Sequence, residues 1–143
     1  MPAPTLKPGL RHEFTYTVPA ERTVPHLYPD APEFAAMPEV FATGYLVGLI
    51  EWTCVQLVNQ HLDWPAEMTL GIHVDISHEA ATPPGLAVTT TVELTKVDGR
   101  LLEFAVESHD GVDLIARGIH RRAVVDAAKF SARAAGKVPR GAS

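Results

Sequence analysis

The pattern of apolar and polar side chains along this chain of 143 residues predicts one long helix and several strands. Residues 9–18 alternate apolar with polar side chains, which is typical of a strand half buried on one face. Residues 43–62 instead repeat apolar side chains at helical spacing. Residues 70–80 alternate again and predict a second strand. The predicted core face of this strand consists of Leu70, Ile72, Val74 and Ile76.

Three further β-rich stretches follow, at residues 86–97, 100–109 and 112–125. They are separated by Asp98-Gly99 and Asp110-Gly111. Asp-Gly between such stretches favours hairpins with type I′ turns, in which both central residues have positive φ. The C-terminal half therefore predicts an antiparallel meander.

Two segments lack such periodicity. Residues 19–40 contain five prolines, which interrupt helices and strands, so we expect a loop with at most a helical turn. A loop of this length often serves as a lid or a binding loop. The chain from about residue 127 is small and basic, and we expect a flexible tail that is either a frayed helix or disordered.

Composition and charge narrow the class of protein. The length fits a single domain spanning residues 1–143, and the net charge of -5 argues against a general nucleic-acid binder. No apolar run is long enough for a membrane helix. Cys54 is the single cysteine, which excludes an internal disulfide and fits a reducing cytoplasm. Because no clustered metal-ligand motif occurs, we expect no metal site.

Glu51 is the unusual residue of the predicted helix. A helical projection gives a polar stripe on the side opposite Glu51, formed by Thr53, Gln56, Asn59 and Gln60. One interpretation is a carboxylate paired with an arginine or placed in the first helical turn. The other is a carboxylate in an apolar wall, where desolvation would raise its pKa and suit it to proton transfer or nucleophilic attack. Gly44 and Gly48 would leave room for a ligand or another backbone beside it.

Three other residues could carry chemistry. His78 lies on the predicted core face of its strand, towards the helix. Thr43 fits an ordinary helix N-cap. It is eight residues from Glu51, about 12 Å along a straight helix, so the two can meet only if the helix begins after Gly44 or if two subunits share the site. One of Arg121 and Arg122 must point inward, where it could hold a carboxylate or a phosphate-bearing ligand.

Several strings of the sequence resemble the bacterial fluoroacetyl-CoA thioesterase family over about residues 10–130. They are HLYPDAPEF, MPEVFATG, GLIEW, SHEAATPPGL, SHDGVD and HRRAV. The resemblance implies the hot-dog fold of the α+β class, in which an antiparallel sheet wraps around one long central helix. It also implies a homodimer with the active site near the subunit interface. The expected reaction is hydrolysis of a short acyl-CoA to the free acid and CoA, with no cofactor besides the CoA of the substrate.

The resemblance carries individual roles to positions of this chain. It implies a catalytic group of Thr43, Glu51 and His78. The substrate-binding positions that it implies are Gly71, Arg122, Val24, Phe34 and Met37. Phe34 matches one lid phenylalanine of the family, whereas Met37 replaces the second lid aromatic. Because methionine is softer and more adaptable, we expect a pocket that is less selective or shaped for another acyl group.

The sequence leaves the chemical route and two other functions open. Glu51 could be a nucleophile or a general base, and Thr43 a nucleophile or a hydroxyl that aligns water. His78 could be a general base or acid for hydrolysis, or instead the base that abstracts an α-hydrogen of a fluorinated acetyl group. A hot-dog hydratase acting on enoyl thioesters is one alternative function, because the same fold supports both. A non-catalytic acyl-CoA-binding protein is the other.

Overall fold

The computed structural model describes residues 4–139 and residue 141, and its elements follow the predicted order. The helices and strands are β1 (Arg11–Thr17), α1 (Pro32–Ala35), α2 (Thr43–Val58), β2 (Glu67–His78), β3 (Ala87–Asp98), β4 (Leu101–His109), β5 (Leu114–Asp126) and α3 (Ala127–Ala135). Short 3₁₀ turns lie before α1, at Ala20–Arg22 and Val24–His26, and after α2, at Asn59–His61. The predicted helix thus ends in a 3₁₀ turn rather than running on as α-helix.

The strands form one antiparallel sheet in the order β1-β3-β4-β5-β2. The meander predicted for the C-terminal half is confirmed by β3, β4 and β5. The predicted type I′ turns are wrong, because no residue other than glycine has a positive φ in the described part of the chain. After Asp98, which still belongs to β3, Gly99 alone takes a positive φ of 59°, as in a type II′ turn.

Helix α2 lies across this sheet and supplies much of the core. It contacts β1 and β2, which are the two edge strands, and also β3. Strands about 4.8 Å apart put the edges of a flat five-stranded sheet about 19 Å from each other, so the sheet must curve around the helix to reach it from both sides. The buried side chains of α2 are Leu46, Leu49, Ile50, Thr53, Cys54, Leu57 and Val58.

The exposed side of α2 differs from the predicted polar stripe. Thr53 is fully buried, and its hydroxyl donates to the carbonyl of Leu49 at 2.8 Å. The exposed line instead includes Gly44, Gly48 and Trp52. Glu51 lies at the border between this line and the buried face, with 39% of its side chain exposed.

The alternation predicted for residues 70–80 is interrupted by a β-bulge in β2. The pairing of β2 with β5 runs up to Gly71 opposite Arg122 and resumes at His73 opposite Arg121, which leaves Ile72 as the extra residue. An extra residue exchanges the two faces of a strand, because successive side chains point to opposite sides.

The core face predicted for β2 is correct after the bulge and wrong before it. After the bulge, Val74 and Ile76 share the helix-facing side with His78, as predicted. Val74 pairs with the buried His120. Before the bulge the prediction is wrong, because Gly71 rather than Leu70 faces α2.

The two segments without periodicity contain more structure than expected. The loop at residues 19–40 holds two 3₁₀ turns and the short helix α1. The first nine residues of the expected tail form α3, whose N-cap Asp126 accepts a hydrogen bond from the backbone of Lys129 at 2.9 Å. Residues 140, 142 and 143 of that tail lie outside the described residues.

Candidate active site

Thr43 and His78 meet at one end of the helix. Thr43 Oγ1 lies 2.8 Å from His78 Nδ1, within hydrogen-bond distance. The N-cap predicted at Thr43 is wrong, because α2 begins at Thr43 and its N-cap is Ala42. The Thr43 hydroxyl therefore forms its hydrogen bond with an imidazole and does not cap the helix backbone. A hydroxyl beside an imidazole is the arrangement in which a base can activate a nucleophile.

The loop after β2 holds these two residues together. The backbone N–H of Phe41, two residues before α2, donates to the carbonyl of Thr82 at 2.7 Å. The hydroxyl of Thr82 donates to the carboxylate of Asp110 at 2.8 Å, and both residues are buried. Burial alone would raise the pKa of Asp110, but the hydrogen bonds from the backbone of Asp113 and Val112 and from the Thr82 hydroxyl together hold it below its ordinary value. The start of α2 and the end of β2 are thus joined through one buried network.

The ring of His78 is partly enclosed. Burial lowers its pKa, and the nearby backbone of Ala80 offsets this in part without forming a hydrogen bond of ordinary geometry. Nε2 of His78 is buried and has no hydrogen-bond partner in the part of the chain that the structure describes. A neutral imidazole with one nitrogen on a hydroxyl can accept a proton near neutral pH.

Glu51 lies in a second group of polar residues, at the other half of β2. Its Oε1 accepts a hydrogen bond from Nη1 of Arg122 at 3.0 Å, and Arg122 is buried. Of the two interpretations of Glu51, the structure shows the arginine-paired carboxylate and not an isolated charge in an apolar wall. Of the two adjacent arginines, Arg122 points inward and Arg121 outward, where it pairs with Glu103 at 2.8 Å.

Arg122 is held in place by two residues besides Glu51, which are Thr69 and His120. Its Nε and Nη2 donate to the hydroxyl and the carbonyl of Thr69, at 2.8 and 2.9 Å. Its Nη1 also contacts Nε2 of His120 at 3.1 Å, and His120 bonds in turn to the carbonyl of His73 at 2.8 Å. Neither Thr69 nor His120 was expected from the sequence. The signal that could have identified His120 is its position two residues before Arg122, on the same face of one strand.

Burial shapes the chemistry of two side chains in this group. The pKa of His120 lies below its usual value mainly because of burial, with the hydrogen bond to His73 opposing this shift and the charge of Arg122 adding to it. Burial also raises the pKa of the Cys54 thiol to about 12. Cys54 therefore stays protonated at neutral pH and is not the nucleophile.

Gly71 provides the space that Glu51 occupies. A Cβ atom at this position would lie 2.5 Å from Oε1 of Glu51 and 3.3 Å from Nη1 of Arg122. The bulge after Gly71 and the missing side chain together allow the carboxylate to lie against the strand.

We therefore expect Gly71→Ala to lower kcat by about tenfold to a hundredfold, because it displaces the Glu51 carboxylate. Stability should change by about 1 kcal/mol or less, since the clash is with the end of a flexible side chain. Steady-state kinetics and thermal unfolding measure the two effects. Gly136→Ala is the control, because a Cβ there meets backbone oxygens only at 3.5 and 3.7 Å. Wild-type kcat in Gly71→Ala would show that this space has no catalytic purpose.

The structure brings Thr43 to His78 and Glu51 to Arg122 and Gly71, but it does not bring the two groups together in one chain. Thr43 and Glu51 lie eight residues apart on α2, about 12 Å along its axis. A helix start after Gly44, which would have allowed a meeting within one chain, is wrong because α2 begins at Thr43.

The expected lid residues lie in the loop before α2. Val24 opens a 3₁₀ turn and donates its N–H to the carbonyl of Val40 at 2.9 Å. Phe34 lies in α1, and its ring stacks on Tyr28 with the ring centres 6.0 Å apart. Met37 follows α1 and is 45% exposed.

The space expected beside the two helix glycines is only partly open. A Cβ on Gly44 would meet Leu27 at 3.3 Å, whereas none of the described atoms approaches that of Gly48 within 4 Å. Gly48 opens onto a groove of about 250 Å³ that is also lined by Tyr16, Tyr45 and Trp52.

Comparison with known proteins identifies the family. The family model described as fluoroacetyl-CoA-specific thioesterase matches residues 18–128. The fluoroacetyl-CoA thioesterase of Streptantibioticus cattleyicolor is 50% identical over 136 residues, which cover 95% of this chain and 97% of that protein. A solved structure of the fluoroacetyl-CoA thioesterase FlK superposes with a TM-score of 0.90 at 50% identity, covering 94% of this chain and 98% of that one.

A more distant structure supports the fold alone. A hot-dog-like protein from Thermanaerovibrio acidaminovorans has a TM-score of 0.74 at 19% identity, over 89% of each chain. The family and the hot-dog fold predicted from the sequence are therefore both confirmed. Given the match of the family model to most of its length, this chain belongs to the fluoroacetyl-CoA-specific thioesterase family.

Proposed function

We propose that this protein hydrolyses short acyl-CoA thioesters, fluoroacetyl-CoA among them, to the free acid and CoA. Membership in a thioesterase family supports the reaction class. The observation that carries the proposal for the site is the 2.8 Å contact between the Thr43 hydroxyl and the His78 imidazole. A binding module has no need of a hydroxyl aligned on a partly buried imidazole, whereas acyl transfer does.

We propose further that the protein is a homodimer in which each active site combines two chains. Strand β2 is an edge strand, and Ile72 and Val74 on it are 52% and 42% exposed. An exposed edge with apolar side chains favours pairing with another strand. A second copy of β2 is the natural partner, because a two-fold axis pairs a strand with itself in the antiparallel direction.

The register of such a pair is set by the two groups of site residues. An axis through Asp75, with Ile72 as the extra residue of each bulge, places Gly71 of one chain opposite His78 of the partner subunit. Residues directly opposite in an antiparallel pair point to the same face, and both of these face the helix side of the sheet. Glu51, which lies against Gly71, would then lie beside the ring of His78 of the partner subunit.

The proposed reaction follows from this arrangement. His78 Nδ1 takes the proton of the Thr43 hydroxyl while Thr43 Oγ1 attacks the thioester carbonyl. The carbon–sulfur bond then breaks, and His78 returns the proton to the CoA sulfur. A water activated by His78 hydrolyses the acyl group from Thr43. The negative charge of Glu51 from the other chain stabilises the imidazolium that forms in each step.

The proposed reaction uses the side chains of the protein and needs no cofactor, because CoA enters as part of the substrate. We also propose a cytoplasmic location, on account of the single buried cysteine. Within the described residues, none of the helices has the length and apolarity required to cross a membrane. The acidic net charge of -5 supports the absence of a nucleic-acid partner.

The test of this function is the release of CoA from fluoroacetyl-CoA, acetyl-CoA and crotonyl-CoA. We expect free CoA from at least one of the two acetyl thioesters. Hydration of crotonyl-CoA without release of CoA would instead identify a hydratase. Measurable affinity for all three thioesters without any turnover would identify a binding protein.

The lid position Met37 supplies a prediction on selectivity. We expect Met37→Phe to raise the ratio of kcat/KM for fluoroacetyl-CoA over acetyl-CoA by about threefold to tenfold, because a rigid aromatic ring narrows the lid. Val112→Phe is the control, since it places an aromatic ring on a turn residue that is 78% exposed. An unchanged ratio in Met37→Phe would show that this residue does not shape the acyl pocket.

A further inference from the structure

We propose that His120 is a positioning residue for thioester hydrolysis, and that its neutral ring fixes Arg122 on Glu51 by accepting a hydrogen bond. This inference rests on the proposed function. His120 itself does not face the substrate, because it is fully buried between the sheet and α2. It would act through the guanidinium group that it contacts.

The two contacts of the His120 ring agree on one tautomer. Arginine has only N–H donors, so the 3.1 Å contact between Arg122 Nη1 and His120 Nε2 requires Nε2 to be the acceptor. The proton of the neutral ring is then on Nδ1, which donates to the backbone carbonyl of His73 at 2.8 Å. That carbonyl belongs to the first paired residue after the bulge. The bulge in β2 therefore sets the tautomer of His120.

The ring has little freedom to take another orientation. Phe104 stacks on it with the ring centres 6.4 Å apart and the planes 28° from parallel. The charged and titratable groups facing it are Arg122, Glu51 and His73. A flipped ring or a protonated Nε2 would direct an N–H at the guanidinium, and two donors facing each other in a buried site are unfavourable.

The acceptor on His120 gives Arg122 a defined direction towards Glu51. Nη1 of Arg122 has two N–H groups, and they donate to Nε2 of His120 and to Oε1 of Glu51. The other edge of the guanidinium is held by Thr69. Without an acceptor at the Nε2 position, one N–H of Nη1 would be buried without a partner, and the group would be expected to shift and carry Glu51 with it.

Two substitutions separate the two contacts of this ring. Gln places an amide oxygen near the position of Nε2 and can accept from Arg122, but it loses the donor at Nδ1. Asn places an amide N–H near the position of Nδ1 and can donate to the carbonyl of His73, but it is too short to reach Arg122. A positioning role therefore predicts that Gln substitutes better than Asn, and a purely structural role in closing the bulge predicts the reverse.

The experiment measures CoA release by His120→Gln and His120→Asn on the best thioester of the wild type. We expect kcat within about threefold of the wild type for His120→Gln and lower by about tenfold or more for His120→Asn, with KM changed little in both. Equal losses in the two variants, or the better activity in His120→Asn, would overturn the proposal.

A second measurement does not depend on activity or on the folding of the variants. Nitrogen-edited NMR of the wild-type imidazole should show His120 as neutral, with its proton on Nδ1, at neutral pH. A proton on Nε2 or a charged ring would overturn the proposal even if the enzyme hydrolyses thioesters. Absence of turnover by the wild type would instead count against the proposed function and leave the tautomer measurement intact.

Discussion

Glu51→Gln should lower kcat for thioester hydrolysis by about a thousandfold, with folding left intact. The amide oxygen of Gln can still accept the hydrogen bond of Arg122, which Glu51 receives at 3.0 Å. The substitution therefore removes the charge of the side chain and little of its packing. Without that charge, the imidazolium of His78 formed during the reaction loses its stabilising partner.

Glu103→Gln is the matched control for this substitution. Glu103 pairs with Arg121, the residue next to Arg122, at 2.8 Å on the outer face of the sheet. Each substitution thus removes a carboxylate that pairs with an arginine, and the two arginines are neighbours in β5. We expect Glu103→Gln to retain wild-type kcat and KM, since a surface ion pair contributes little. Retention of wild-type kcat by Glu51→Gln would refute the role assigned to this carboxylate.

The hairpins and the buried helix could be predicted from the sequence because they depend on local periodicity. Alternating side chains around Asp98-Gly99 and Asp110-Gly111 predicted β3, β4 and β5 with their partners. The face of β2 could be predicted only in part. A bulge at Ile72 depends on the register with β5, and a single strand carries no signal of that register.

The candidate site shows the same division between local and long-range information. Helical geometry placed Glu51 away from the most polar side of α2 and gave the separation of about 12 Å from Thr43. It could not identify Arg122 as the partner of Glu51, because the two residues are 71 positions apart. The roles of Thr43 and His78 came from the resemblance, and they stay predictions until variants are measured. The 2.8 Å contact between them agrees with those roles.

A mixed dimer of two inactive variants should regain activity if two chains share each site. Thr43→Ala removes the hydroxyl of one group, and Glu51→Gln removes the carboxylate of the other. A dimer with one chain of each kind contains one site with both defects and one site with none. Coexpression with two different affinity tags and two successive purifications isolates this dimer from the parent homodimers.

The activity of this mixed dimer tests most directly whether two chains share each active site. We expect about half of the wild-type kcat per dimer, whereas each parent variant alone should fall by about a hundredfold or more. A mixed dimer of Thr43→Ala with His78→Ala is the control and should remain inactive, because both residues belong to the same group and each site then carries one defect. Activity of the Thr43→Ala and Glu51→Gln mixture no higher than that of its parents, or failure of the two tagged chains to copurify, would contradict a site shared between two copies.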